Sequence, residues 1–159
     1  MGIRMNNISP NQPLYLYQQP MFSLTVATVL IVDNGVLLIE DNGVYRFPGG
    51  IVKAGLETIQ FACVRYIKEQ TGITLKKDTL MPVDFRSDPS RSKEGNVVDI
   101  GFVCVLEGHN SDNIRDGVLW KEVDFEHRKL VEKLDFYMDH EILLDRAIEI
   151  MTIINYSAI

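Results

Sequence analysis

The sequence predicts an α/β domain, a mixed sheet with helices packed against it. Three observations carry that reading. Two Asp-Asn-Gly tripeptides, at 33–35 and 41–43, cut an apolar stretch into strands joined by tight turns. A helical pattern from about Glu57 to Thr71 stops at Gly72. A second, from His140 to about Ile154, repeats Ile142, Leu143, Ala147, Ile150 and Ile154 at spacings close to 3.6. The 159 residues match the usual size of one compact domain and are too few for two ordinary ones.

Residues 1–20 hold three of the six prolines and show no period, so they read as an extended N-terminal arm. Leu14, Tyr15 and Tyr17 give that arm something to dock with, on the domain or on a partner chain. Residues 21–159 read as a single domain. Phe22 to Asp33 is a strand, Val36 to Glu40 a second and Val44 to Phe47 a third, an antiparallel meander. Pro48-Gly49-Gly50 opens a loop before the first helix. Leu80 to Phe85 and Val97 to Leu106 read as strands flanking a polar loop, and Gly117 to Trp120 as one more. Helices are expected at Glu126 to Leu134 and from His140 onward.

Composition narrows the function. Apolar residues make up 46% and charged residues 24%, enough for a core in water. The net charge of −6 argues against broad binding to nucleic acid, which relies on a basic surface to neutralise phosphates. Apolar runs such as Leu24 to Val32 fall far short of the roughly 20 residues that span a bilayer. No secretory signal is visible at the start, and no membrane partner is expected. Cys63 and Cys104 both lie in apolar segments, as buried free thiols of a reducing cytoplasm would.

The chemistry is concentrated in residues 49–73, GGIVKAGLETIQFACVRYIKEQTGI. Ile59, Cys63 and Ile67 mark the buried side of the helix. At about 100° per residue, Gln70 points into the same stripe, where a polar group needs hydrogen-bond partners or a wet cavity. Tyr66, Glu69 and Gln70 stand at i, i+3 and i+4 and converge on one spot, and Arg65 and Glu69 are spaced to pair. By itself this is a solvated salt bridge beside a satisfied core amide.

The wider register says more. Glu57, seven residues, Arg65, Ile67, Glu69, Gly72 and Ile73 fall in step with the Nudix box, G-x5-E-x7-R-E-U-x-E-E-x-G-U with U apolar. The segment resembles that family, and Phe47-Pro48-Gly49-Gly50 resembles the opening of its loop. Beyond the box, Asp88-Pro89-Ser90-Arg91, Trp120, and Asp135-Phe136 followed by Asp139-His140 look like members close to the ADP-ribose pyrophosphatases. The resemblance implies an α/β/α sandwich with a mixed sheet. It also implies metal-dependent hydrolysis of a nucleoside diphosphate linked to another group, ADP-ribose-like or a nucleotide sugar, with Mg²⁺ or Mn²⁺. Carried over residue by residue, Glu57 steers Arg65 and Arg65 holds Glu69. Glu69 is then the remaining helix ligand and Gln70 a weak auxiliary.

The departures are specific. Six residues separate Gly50 from Glu57, one more than the pattern, an insertion a loop absorbs at little cost. The family's R-E-U-x-E-E is here Arg65-Tyr66-Ile67-Lys68-Glu69-Gln70, so one of three helix carboxylates survives. Each carboxylate about 4 Å from a divalent ion contributes roughly 8 kcal/mol gross at an effective dielectric of 20. Losing two of them predicts weak Mg²⁺ or Mn²⁺ binding without substrate. That loss gives the alternative function, a catalytically weak or inactive nucleotide-binding module of the same fold.

Around the box, Arg46, Gly49, Gly50 and Arg91 are the expected substrate contacts, the arginines for phosphate and the glycines for close approach. Arg86 is a further candidate for phosphate. Asp112, Asp116 and Glu122 lie where some relatives supply a late carboxylate. Tyr45 and Phe47 read as core before they read as base-stacking rings. His109, His127 and His140 show no metal-ligand spacing. The Pro-rich arm and antiparallel strands leave room for a homodimer.

Overall fold

Strand β1 (Ser23–Val32) is buried on both faces, and the architecture follows from that. The computed structural model describes residues 22–93, 95–107 and 114–157, so the expected N-terminal arm lies outside the described residues. Alternate side chains of β1 point to opposite faces. Ala27, Val29 and Ile31 enter a core shared with helix α2 (His140–Ser157), through Leu143, Leu144, Ala147 and Ile148. Val26, Leu30 and Val32 enter the cores beneath helix α1 (Ile59–Thr71), through Ala62, Cys63 and Ile67. A helix covers each face, and the result is the expected α/β/α sandwich.

The sheet is mixed. β2 (Gly35–Asp41) pairs antiparallel with β1, β3 (Val44–Arg46) with β2, and β4 (Gly49–Ile51) returns to pair with Thr25 to Ala27 of β1. β6 (Val97–Leu106) runs parallel to β1 along its whole length. β5 (Met81–Arg86) closes one side, and β7 (Val118–Asp124) with β8 (Lys129–Leu130) the other, in the order β5-β6-β1-β2-β7-β8. Asn42 and Gly43, at φ 54° and 80°, make the left-handed two-residue turn that the second Asp-Asn-Gly predicts. In the first, Asp33 takes the left-handed position at φ 54°. Gly35 serves packing instead: a Cβ there would sit 2.4 Å from the Trp120 indole and 2.5 Å from the Lys121 carbonyl oxygen.

Three expectations change. The first helix begins two residues later than read, because Thr58 caps it by accepting the Phe61 N–H at 3.2 Å; Glu57 is left in the loop before it. Pro48-Gly49-Gly50 does not open a free loop, since Gly49 and Gly50 start β4. The helix expected at Glu126 to Leu134 does not form. There Asp124 accepts the His127 N–H at 3.1 Å, Arg128 turns the chain at φ 52°, and Lys129–Leu130 pairs back on β7. Leu130 alone in that stretch is buried, which is too little apolar surface to hold a helix on the sheet.

Candidate functional site

A cleft of about 610 Å³ opens at the edge where the parallel strands β1 and β6 begin. Its walls are β4, the turn between β2 and β3, and Tyr137, Met138 and His140 at the start of α2. Backbone bonds set that last wall in place. Tyr45 N–H donates to the Asp135 carbonyl and Tyr137 N–H to the Tyr45 carbonyl, both at 2.8 Å. Arg46, Gly49, Gly50 and Arg91, the four substrate contacts read from the sequence, all line this cleft.

Glu57, Arg65 and Glu69 lie on α1 and the loop before it, behind β4. Arg65 grips Glu57 with two bonds, Nε to Oε2 at 2.8 Å and Nη2 to Oε1 at 2.7 Å. The Lys53 N–H adds a third to Glu57, at 2.8 Å. The Arg65 hydrogen bond holds the Glu57 carboxyl at about 2, well below the usual range, and Glu57 in turn raises Arg65. The free end of the guanidinium reaches Glu69, Nη1 to Oε2, at 3.2 Å. Glu69 is half exposed, at 53%, whereas Glu57 is 4% exposed. One arginine therefore connects a fixed carboxylate to an accessible one.

Tyr66 and Gln70 join this line to the cleft. Tyr66 stacks under Arg65, its ring centroid 4.1 Å from the guanidinium carbon, and donates its O–H to the Ile51 carbonyl at 2.9 Å. Gln70 uses both ends of its amide on the backbone of one residue. Its Oε1 accepts the Gly49 N–H at 2.9 Å, and its Nε2 donates to the Gly49 carbonyl at 3.0 Å. Arg46 Nη1 donates to the same Oε1 at 3.3 Å.

These residues do not fit a resident divalent ion. Of the three that share the helix face, Glu69 alone is a carboxylate, and Arg65 is already paired with it. The Gln70 oxygen holds two donors, and the Tyr66 hydroxyl is turned to a carbonyl. Among the described residues no three His, Cys, Asp or Glu side chains come together to hold a metal. The late carboxylates do not complete a set. Glu122 pairs opposite Gly35, at the other end of the sheet, and neither it nor Asp116 lines the cleft; Asp112 lies outside the described residues.

On the far wall is a buried group of four charges that sequence reading assembled only in part. Arg86 pairs with Asp99 and, at 3.0 Å, with Asp139. Arg91 holds Asp139 with two bonds of 2.7 Å, and Thr25 donates to Asp99 at 2.6 Å. Burial pushes Asp139 upward, but Arg91 and Arg86 outweigh it and hold the carboxyl below its ordinary range. Arg86 is thus an internal ion-pair partner, absent from the cleft wall. Arg91 reaches the wall with its donors largely satisfied from within. Asp99 was missed, and His140 was weighed as a metal ligand but not as a residue of the cleft. The signal for Asp99 was there: a charged residue at a buried position inside the apolar run Val97 to Leu106. Phe47 is fully buried, as its core reading required. The thiols are buried too, and burial pushes Cys63 up to about 12.

A family model described as the NUDIX domain matches residues 21–144. An ADP-ribose pyrophosphatase of Methanocaldococcus jannaschii is 34% identical over 134 residues, covering 81% of this chain and 73% of that protein. Among solved structures, a MutT/nudix family protein from Enterococcus faecalis aligns with a TM-score of 0.71 at 23% identity. The alignment covers 89% of this chain, which spans 65% of that one. The NUDIX domain of Shewanella oneidensis NrtR, solved with ADP ribose, aligns at TM-score 0.67 and 18% identity, over 89% of this chain and 94% of that one. A longer NrtR chain, 62% of which is covered, has been solved with a 27mer DNA. At these identities the structural matches speak for the fold.

Proposed function

The chain belongs to the Nudix family, and from that premise we propose that it is an ADP-ribose-pyrophosphatase-like hydrolase. Its substrate in this reading is a nucleoside diphosphate linked to another group, and water cleaves the pyrophosphate. One observation carries the reading: a glycine-walled cleft holding Arg46 and Arg91 backs onto an unbroken Glu57–Arg65–Glu69 line. Arg46 meets the diphosphate charge, and Gly49 and Gly50 line the cleft beside it, their missing side chains making room for β1 and the Tyr66 ring. Glu57 fixes Arg65, and Arg65 aims Glu69, the one accessible carboxylate of the helix face. Family members generally use divalent metals; here the described residues supply no resident site, so in this reading Mg²⁺ or Mn²⁺ comes with the substrate's phosphate oxygens. Similarity to the archaeal pyrophosphatase and to a domain solved with ADP ribose supports the choice of an ADP-ribose-like substrate.

A second reading is a binding module that holds the same ligand without cleaving it. The engagement of Tyr66 and Gln70 with carbonyls, where the family pattern has carboxylates, favours it. In either reading the partner is a small nucleotide-derived molecule; the charge of −6 speaks against nucleic acid, and a homodimer in the cytoplasm is consistent with the sequence. Among the described residues no helix is long and apolar enough to cross a membrane.

The test is a panel of ADP-ribose, nucleotide sugars, dinucleotides and nucleoside triphosphates with Mg²⁺ or Mn²⁺, followed by phosphorus NMR. Cleavage of ADP-ribose or a close analogue is expected. Calorimetric binding without cleavage would select the second reading, and neither binding nor cleavage would refute both.

A further inference from the structure

In the sequence Gln70 looks like a metal ligand that has lost its charge. The geometry assigns it other work. We propose that Gln70 is a positioning residue, whose amide clamps the Gly49 peptide and steadies Arg46 at the cleft, so that the diphosphate end of the site assembles without an ion. The identity of the ligand rests on the function proposed above; the clamp itself does not.

The argument starts from donors and acceptors. Gly49 presents an N–H and a C=O to the same side chain, and Gln70 answers both, at 2.9 and 3.0 Å. An amide offers a donor and an acceptor side by side; an ionised carboxylate offers acceptors alone. Glu at this position would set an oxygen against the Gly49 carbonyl, and two oxygens face to face need a cation between them. Tyr66 repeats the substitution one turn earlier, its O–H donating to the Ile51 carbonyl. Neutral donors thus stand at two of the three helix positions where the box pattern has acid, and each donates to a carbonyl of β4.

The peptide being clamped has little freedom. A Cβ on Gly49 would lie 1.9 Å from the Val26 carbonyl oxygen, so the residue is pressed flat against β1. The Gly50 position is closed by the Tyr66 ring, 2.5 Å from where a Cβ would be. Gln70 therefore ties α1 through β4 to the central strand. Its Oε1 then gives Arg46, on β3, an anchor at 3.3 Å. That leaves the remaining Arg46 nitrogens for a ligand in the cleft.

The clamp is tested first without any variant. In ¹⁵N-labelled protein the Gln70 side-chain amide pair and the Gly49 amide are expected to exchange slowly with solvent. Neither EDTA nor millimolar Mg²⁺ should move them. Fast exchange, or displacement of the pair by Mg²⁺, overturns the proposal. The link to Arg46 is tested by calorimetry with ADP-ribose in EDTA, on wild type, Gln70→Leu, Arg46→Leu and the double variant. Each single change should weaken binding about tenfold, and the double variant by clearly less than the product. Additive losses overturn the positioning role, because a merely structural Gln70 would not couple to Arg46. Gln70→Glu should bind more weakly than wild type with Mg²⁺ present; tighter binding overturns the proposal in favour of a depleted metal ligand. If wild type ignores ADP-ribose, the substrate reading fails, and the exchange measurement still decides the clamp.

Discussion

The backbone N–H of Phe47 donates to Nδ1 of His140 at 2.9 Å, and the two rings stack with centroids 5.8 Å apart. This contact joins the end of the β-meander to the first residue of α2, across 93 positions of sequence. Nδ1 accepts that bond only while it carries no proton, so the proton of the neutral ring sits on Nε2. Burial pushes the imidazole down to about 4; Arg86 and Arg46 act with it, and Asp99 and Asp139 oppose it.

Stability should therefore fall as the solution is acidified from neutrality. The unfolded chain takes up a proton at His140 near 6.5, and the folded chain resists until about 4. Between those values the unfolded state holds more protons, so the contribution is full above 6.5 and lost as pH drops toward 4. Its size is of the order of 3 kcal/mol. Urea denaturation from pH 7 to 4 should show the loss. In His140→Phe, which cannot accept from Phe47, stability at pH 7 should be lower by about 2 kcal/mol. Its pH profile should also flatten, and an unchanged profile would count against this account.

The Glu57–Arg65 pair predicts a separate, more acidic transition. Glu57 is held at about 2, so its contribution is complete above 4.5 and disappears as pH falls through about 2. Arg65→Lys keeps the charge but cannot bond both Glu57 oxygens and Glu69 together. Turnover of the substrate found in the panel should fall about tenfold, with only a small change in melting temperature. A large loss of stability with unchanged turnover would make the pair purely structural.

Metal response separates wild type from a recharged site. EDTA and Mg²⁺ should leave the wild-type melting temperature unchanged. Tyr66→Glu combined with Gln70→Glu removes the bonds to Ile51 and Gly49 and crowds three negative charges, so without metal the variant should melt lower. Added Mg²⁺ should then raise the melting temperature, the stability gained being about 2.7 kcal/mol at a hundredfold excess over Kd. Tight binding by the wild type, measured calorimetrically, would show that other side chains complete an ion site.

Asp99→Asn tests the buried charges. The side chains of Asp99 and Arg86 are 5% and 8% exposed, so removing the Asp99 charge leaves two buried arginines sharing the single carboxylate of Asp139. A loss of about 3 kcal/mol is expected, measured by denaturant unfolding. A loss below about 1 kcal/mol, the range of an exposed pair, would mean that water reaches the cluster.

How much of this was legible depended on sequence distance. Helix α1 and the Arg65–Glu69 pair were readable because their partners lie within one turn, whereas Glu57 was joined to Arg65 only through the resemblance to the Nudix box. The strands were readable because Asn42-Gly43 and Asp33-Asn34 mark where the chain must reverse. The stretch from Glu126 to Leu134 misled because its composition suits a helix, and the local Asp124–His127 bond with one buried leucine settled it otherwise. His140 and Asp99 were hidden for a different reason. Their partners, Phe47 between β3 and β4, Thr25 on β1 and Arg86 on β5, are distant in sequence, and no local pattern specifies such a pairing. Gln70 was located correctly on the buried stripe, but what satisfied it was a peptide group, which has no letter in the sequence.

The parallel ladder between β1 and β6 also has a consequence in time. Thr25 and Asp99, bonded across it, are 74 residues apart. During synthesis at roughly 5–20 residues per second, the meander and α1 wait several seconds before β6 exists to pair with β1. Through that interval the middle strand of the finished sheet is an edge, apolar on both faces and open along its length. The nascent chain is most exposed to aggregation there. A chaperone or the ribosome surface that shields residues 23–32 during those seconds would close that window.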